Sequence, residues 1–153
     1  MRRRGRAGLT LIELIVAFTI LLLLSTMAMP LGRSKVRREK ERELRWALRE
    51  IKAAIDKYKD LSDQNLIPVD LGTEGYPKTL DILVEGVKLQ GPADRKIRFL
   101  RKIPRDPMTG KYEWGMRSVQ DDPKSMSWGG QNVFDVYSKS MDKAADGTPY
   151  SEW

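Results

Sequence analysis

The chain has 153 residues, of which 41% are hydrophobic and 32% charged, and it carries a formal net charge of +7. It contains no cysteine and no histidine, which excludes disulfides, thiol nucleophiles, His-based triads and Cys/His metal sites. This length accommodates one modest domain together with a membrane helix.

Much of the excess positive charge is concentrated in a short N-terminal leader. Arg2, Arg3, Arg4 and Arg6 lie there, and without them 24 basic residues face 21 acidic ones, a net charge of +3. The basic stretch 33–49 is interleaved with a single aromatic residue. Because the remaining charge excess is modest, we expect no nucleic-acid partner.

A long apolar segment follows this leader, which comprises residues 1–8 and ends at Gly8. Residues 9–31 carry a single charge, Glu13. As a helix this segment is about 34 Å long, enough to cross the hydrocarbon core of a bilayer. A carboxylate at such a depth is costly and usually has a partner, so Glu13 is a candidate functional residue.

Three interpretations of this segment differ in where the chain is cut. A secretory signal is cleaved after its apolar region, here near Ala28, but Glu13 and the following Pro30 disfavour that interpretation. A plain signal anchor is not cut at all. Cleavage after Gly8 would leave the whole apolar helix on the mature protein.

The third interpretation, cleavage after Gly8, is supported by a resemblance to a known family. The N-terminal segment resembles the class III signal of the type IV pilin-like superfamily. The resemblance is carried by Gly8, the run Leu9-Thr10-Leu11-Ile12-Glu13, the apolar segment and Pro30. The resemblance implies that a prepilin peptidase cleaves between Gly8 and Leu9 and methylates the amine of Leu9. It also implies that Glu13, the fifth mature residue, pairs with the N-terminal amine of a neighbouring subunit, and that Pro30 loosens the helix. Leu9 replaces the usual phenylalanine.

Residues 32–62 are predicted to continue the helix as an amphipathic segment. Pro30 and Gly32 predict a kink or a melted turn between the two parts. Beyond them, apolar residues recur at spacings of four, three, four and three, which indicates one buried helical face. This face comprises Leu44, Leu48, Ile51, Ile55 and Tyr58. The charged residues between them are expected to be solvated, with weak pairs such as Glu41 with Arg45.

Residues 63–153 are predicted to form a small globular head. The pattern indicates a short helix over 79–85, capped by Thr79 and ended by Gly86, and a tight turn over 106–110. Two segments are rich in β-favouring residues, 112–119 and 133–138. The predicted fold class is therefore α+β, with a long N-terminal helix (a transmembrane half plus an amphipathic half) packed on a small antiparallel sheet.

The order of motifs in the head extends the resemblance to the major pseudopilins of type II secretion. This part of the resemblance is carried by Tyr76-Pro77, the short helix, residues 100–107, Gly110 and Tyr112. The resemblance implies a homo-oligomeric filament supporting protein secretion, anchored in the bacterial inner membrane with its C-terminal domain in the periplasm. The implied partners are the prepilin peptidase, the assembly platform, other pseudopilins and, before assembly, membrane lipid.

The same resemblance suggests calcium as a ligand of the C-terminal loop. Asp142, Asp146 and Ser138 are the candidate ligands, but calcium needs about 6–8 oxygen ligands and the spacing matches no EF-hand. The acidic, glycine-rich end usual in the family is absent, and the chain closes with Tyr150-Ser151-Glu152-Trp153. The alternative is an Asp-Gly turn packed down by Tyr150 and Trp153.

No catalytic residue is predicted, so the protein is not expected to be an enzyme. Asp121 and Asp122 are expected to be solvated loop residues, with no role in acid/base catalysis. The four tryptophans are expected to complete the core. Two alternative functions stay open: a surface pilin for adhesion, motility or DNA uptake, and a monomeric signal-anchored periplasmic binding domain with the tryptophans forming its site.

Overall fold

The computed structural model describes residues 10–91 and 95–153, with the side chains of residues 26–33 outside that description. The helices are α1 (Leu11–Asp63), α2 (Asp81–Glu85) and a C-terminal 3₁₀ turn (Tyr150–Glu152). The strands are β1 (Val87–Lys88), β2 (Lys96–Ile97), β3 (Gly115–Arg117) and β4 (Asp135–Tyr137). β1 pairs with β2 and β3 pairs with β4, both antiparallel. The predicted α+β fold class is confirmed, with two small sheets in place of one.

The chain forms two compact units, Met1–Glu39 and Lys40–Trp153. Helix α1 contributes residues to both units. Since Pro30 and Gly32 lie within α1, the backbone there is helical rather than melted, and the kink stays a prediction. Among the described residues, the structure contains no helix with the length and apolar character needed to cross a membrane.

The core of the second unit is built on the apolar face predicted for α1. All five residues of that face are at most 7% exposed, and Leu44, Ile51 and Ile55 are fully buried. They form one cluster with residues of the head, among them Leu83 of α2 and Val136 of β4. Burying a side chain of this size contributes about 1.5–3 kcal/mol, so this face is a principal support of the head.

Helix α2 is shorter than predicted and starts later. Its N-cap residue is Leu80, whose side chain makes no capping hydrogen bond, so the predicted cap by Thr79 is wrong. The predicted end is confirmed, because Gly86 has φ 85° and its N–H donates to the carbonyl of Ile82. A left-handed residue after a helix favours glycine, which lacks the Cβ that would be strained there.

The two predicted strands are confirmed but are each reduced to three residues. Where β3 ends, backbone N–H groups donate to side chains in place of a neighbouring strand. The N–H of Ser118 donates to Asp121 Oδ2 (2.7 Å), and the N–H of Val119 donates to Asn132 Oδ1 (3.1 Å). Within the pair, Gly115 lies opposite Tyr137, whose ring occupies the space a Cβ would need. Glycine at 115 therefore lets the tyrosine ring pack directly on the strand.

Asp121 is structural rather than merely solvated, which corrects the prediction for this residue. Its Oδ2 accepts hydrogen bonds from the N–H groups of Ser118 (2.7 Å) and Gly129 (3.0 Å). These bonds, first the one from Ser118, lower the pKa of the Asp121 carboxyl. The carboxylate thereby ties the end of β3 to the loop before β4.

This arrangement predicts acid sensitivity of the head. Because the folded-state pKa of Asp121 lies below the ordinary value of 3.8, its contribution to stability is complete above that pH and is lost as the pH falls through the folded-state pKa. Asp121→Asn should therefore lower the urea midpoint at pH 7, and the difference from the parent chain should shrink as the pH falls below 3.8. A difference that is constant across this range would contradict the role of the charge.

Candidate functional site

Residues 11–24, the first part of α1, expose apolar side chains around the helix. Eleven large apolar side chains in this segment are 44–78% exposed. They are Leu11, Ile12, Leu14, Ile15, Val16, Phe18, Ile20, Leu21, Leu22, Leu23 and Leu24. The hydroxyl of Thr19 donates to the carbonyl of Ile15 (2.7 Å), so its polar group is satisfied within the helix. A continuous apolar surface of this kind marks a membrane or protein contact.

The start of α1 is organised by Thr10 and Glu13. The N–H of Glu13 donates to Thr10 Oγ1 (3.4 Å), and the N–H of Leu14 donates to the Thr10 carbonyl (3.2 Å). Thr10 therefore acts as the N-cap, and the Thr-x-x-Glu spacing is that of a capping box. This role of Thr10 was not predicted, although the spacing alone signals it.

Glu13 is the acidic residue of the first helical turn and is exposed. A carboxylate in this position is favoured by the positive end of the helix dipole. It is also the one acid in an otherwise apolar surface, so a cationic group from another molecule would find its counter-charge there. Gly8 and Leu9, the predicted processing residues, lie outside the described residues, as does the side chain of Pro30.

The three candidate calcium ligands are engaged in different ways. The Ser138 hydroxyl is buried and donates to Asp106 Oδ2 (2.7 Å). Asp106 in turn accepts from the N–H of Met108 (2.8 Å) and closes the predicted tight turn, where the N–H of Gly110 donates to the Asp106 carbonyl (2.8 Å). Ser138 thus supports the turn at 106–110 and is committed to that contact.

Asp146 belongs to a turn of the C-terminal loop. Its Oδ1 accepts from the N–H of Thr148 (2.9 Å), and this bond lowers the pKa of Asp146. The carbonyl of Asp142 accepts from the N–H of Tyr150 (3.2 Å). Across residues 10–91 and 95–153, acidic side chains form no group of three that would hold a metal ion. These ligands do not by themselves fit calcium, and calcium binding stays a prediction.

The last four residues, 150–153, form a clamp on α1 that we call the C-terminal clamp. Tyr150 is 1% exposed, and its hydroxyl donates to Glu41 Oε1 (2.8 Å). The Trp153 ring meets Tyr150 edge-on at 5.0 Å and lies 4.2 Å from the guanidinium of Arg45. Lys52 Nζ donates to the Trp153 carbonyl oxygen (3.4 Å). Tyr150 and Trp153 thus pack on α1, while their predicted packing on the Asp146-Gly147 turn stays a prediction.

A buried arginine connects this clamp to the sheet. Arg117 is 7% exposed, and its guanidinium donates to Ser125 O (2.9 Å), Ser151 O (3.1 Å) and Asp135 Oδ2 (3.3 Å). Lys52 of α1 pairs with the other oxygen of Asp135 at 2.9 Å. Since the buried charge is paired and its donors are satisfied, the network holds α1, β3, β4 and the C-terminus together.

The tryptophans do not form a shared binding site. Trp114 is 3% exposed and its Nε1 donates to Pro104 O (2.9 Å), while Trp128 and Trp153 are half-buried against the core. The prediction that tryptophans complete the core is confirmed for these three. It is wrong for Trp46, which is 58% exposed on α1.

The sequence of this chain matches a known family model and a known protein. The family model "Prokaryotic N-terminal methylation motif" matches residues 3–29. The chain is 28% identical over 153 residues to the type II secretion system core protein G of Pseudomonas aeruginosa, covering 97% of this chain and 92% of that protein. No solved structure matches the chain significantly. The predicted resemblance to the type IV pilin-like superfamily, including the major pseudopilins of type II secretion, is thereby confirmed.

Proposed function

We propose that this protein is the structural subunit of a type IV pilus-like filament, the pseudopilus of a type II secretion system. The observation that carries the proposal is the exposed apolar surface of residues 11–24 with Glu13 at its start, directly within the matched methylation motif. Similarity to a core protein of type II secretion over nearly the whole chain supports the same assignment. The role is structural, and the chain is a substrate of an enzyme rather than an enzyme.

Assembly follows from the chemistry of the segment. Cleavage after Gly8 creates a new amine on Leu9, which stays charged when it is methylated. In an apolar filament interior, an isolated carboxylate or ammonium is strongly disfavoured, and pairing the two offsets much of that cost. Glu13 of an incoming subunit therefore pairs with the Leu9 amine of its neighbour and sets the axial register.

The membrane supplies the environment of this segment before assembly. Apolar side chains exposed on all sides of a helix suit lipid as well as they suit neighbouring helices. We infer inner-membrane anchoring through residues 9–31, with the head in the periplasm. During assembly, contacts of this apolar segment with lipid are replaced by contacts with the secretion-system assembly platform and other pseudopilins.

The mature N-terminus and the filament test this function together. Expressed with a prepilin peptidase, the chain should lose its first eight residues and begin at N-methylated Leu9, as measured by mass spectrometry. Gly8→Glu should stay uncleaved and unassembled, whereas Gly5→Glu, a matched change inside the leader, should still be processed. An N-terminus near Met29, or processed chains that never assemble, would reject the proposal. Long filaments on the cell surface would favour a surface pilin.

A further inference from the structure

A run of basic residues directly follows the apolar segment 9–31. Residues 32–38 hold four cations and no carboxylate. We call these four residues the basic cluster; they are Arg33, Lys35, Arg37 and Arg38. The side chains of Lys35, Arg37 and Arg38 are exposed on α1. The cluster is therefore a positively charged surface that begins where the apolar surface ends.

Carboxylates follow the basic cluster but do not cancel it. Residues 39–43 alternate three glutamates with two cations, so residues 32–43 carry six cations against three carboxylates, a net charge of +3. Glu41 also accepts a hydrogen bond from the Tyr150 hydroxyl (2.8 Å), which engages it with the head. The charges are thus ordered along α1, with positive charge nearest the apolar segment and negative charge further along.

Helix geometry places the basic cluster at the headgroups when residues 9–31 span a bilayer. At about 1.5 Å per residue, Lys35 and Arg38 lie about 6 and 10 Å beyond Leu31, and the headgroup layer is about 5–8 Å thick on each side. Helical side chains lean towards the N-terminus, here towards the bilayer, and long basic side chains carry their charge further that way. Glu39 lies about 12 Å beyond Leu31 on a shorter side chain, outside this layer.

We propose that the basic cluster binds the headgroups of acidic phospholipids before the subunit is assembled. The phosphate of an acidic lipid is a counter-charge for an ammonium or a guanidinium, and one basic residue at an acidic lipid surface strengthens binding about fivefold. This inference rests on the proposed function, which places residues 9–31 in the inner membrane. It adds the class of lipid and the residues that recognise it.

Lipid binding measured by native mass spectrometry tests this contact. The chain processed after Gly8 is the form to use, because it lacks the four arginines of the leader. In micelles of a neutral detergent it is titrated with phosphatidylglycerol, which is acidic, and separately with phosphatidylcholine, which is zwitterionic. The parent chain should bind phosphatidylglycerol more tightly, by about fivefold or more.

Two matched pairs of substitutions separate position from total charge. Lys35→Gln with Arg38→Gln should weaken phosphatidylglycerol binding by about 25-fold, the product of two fivefold effects, and leave phosphatidylcholine binding unchanged. Lys40→Gln with Arg42→Gln removes the same two residue types further from the apolar segment and should change binding of either lipid by less than about twofold, because the attraction falls off with distance. An equal loss with both pairs would contradict a contact at the basic cluster.

The outcomes separate this inference from the function on which it rests. A processed, membrane-bound chain that binds both lipids equally would overturn the inference and leave the filament function intact. A chain that is neither processed nor membrane-bound would overturn both. A Lys35/Arg38 variant that binds lipid like the parent chain but forms no filaments would overturn the inference by assigning the cluster to contacts between subunits. Displacement of phosphatidylglycerol by a short DNA duplex would overturn it in favour of a nucleic acid.

Discussion

Replacing Glu13 by alanine is expected to abolish filament growth while leaving cleavage after Gly8 and the fold of the head unchanged. Removing one member of a buried ion pair strands the other charge in an apolar setting, at a cost of about 3–5 kcal/mol. Since about 1.4 kcal/mol is tenfold in an equilibrium, the subunit affinity should fall by about 100-fold or more. The filament fraction sheared from cells measures this directly, and mass spectrometry of the N-terminus confirms processing.

The cap formed by Thr10 provides the matched control for this experiment. The backbone N–H of Glu13 donates to Thr10 Oγ1 at the start of α1, so the role of the Glu13 carboxylate has to be separated from that of the cap. Thr10→Ala removes the cap at a cost of about 1 kcal/mol but keeps the charge, so filaments should persist. If Thr10→Ala and Glu13→Ala were equally damaging, helix capping rather than ion pairing would explain the effect.

Periodic features of this chain were predictable from its sequence because their causes are local. The spacing of Leu44, Leu48, Ile51, Ile55 and Tyr58 places them on one helical face, and all five are buried. The positive φ of Gly86 ends α2 where predicted. In each case a neighbour within four residues decides the conformation, so the sequence pattern carries the information.

Long-range contacts were not predictable in the same way. Tyr150 bonds Glu41 across 109 positions, and Lys52 reaches the Trp153 carbonyl across 101. Strands of two residues, such as β1 and β2, show no alternation that a pattern could reveal. The prediction that Trp46 completes the core followed the general tendency of aromatic residues to be buried, although Trp46 lies two positions after Leu44 and therefore on the other side of α1 from the predicted buried face.

Truncating Tyr150 to alanine is expected to produce a large loss of head stability. Tyr150 is among the largest fully buried side chains, and removing a buried aromatic ring costs about 3–5 kcal/mol. The C-terminal clamp would lose both its ring contact with Trp153 and its hydrogen bond to α1. The free energy of unfolding, measured by urea titration of the parent and the variant, checks this value.

Two milder variants divide that loss between its causes. Tyr150→Phe keeps the ring and removes only the bond to the Glu41 carboxylate, so it should cost about 1.5–3 kcal/mol. Trp153→Ala removes the edge-on ring contact and the cation–π contact with Arg45, which together contribute about 1–2.5 kcal/mol.

Repeating the urea titrations with calcium and with a chelator distinguishes a C-terminal loop that is held by the clamp alone from one that also binds calcium. If the clamp alone secures the C-terminus, the midpoints will not move. If the urea midpoint of the parent chain rises with calcium and falls with the chelator, a bound calcium ion also stabilises the C-terminal loop. Asp142 and Asp146 would then be the first candidate ligands to substitute.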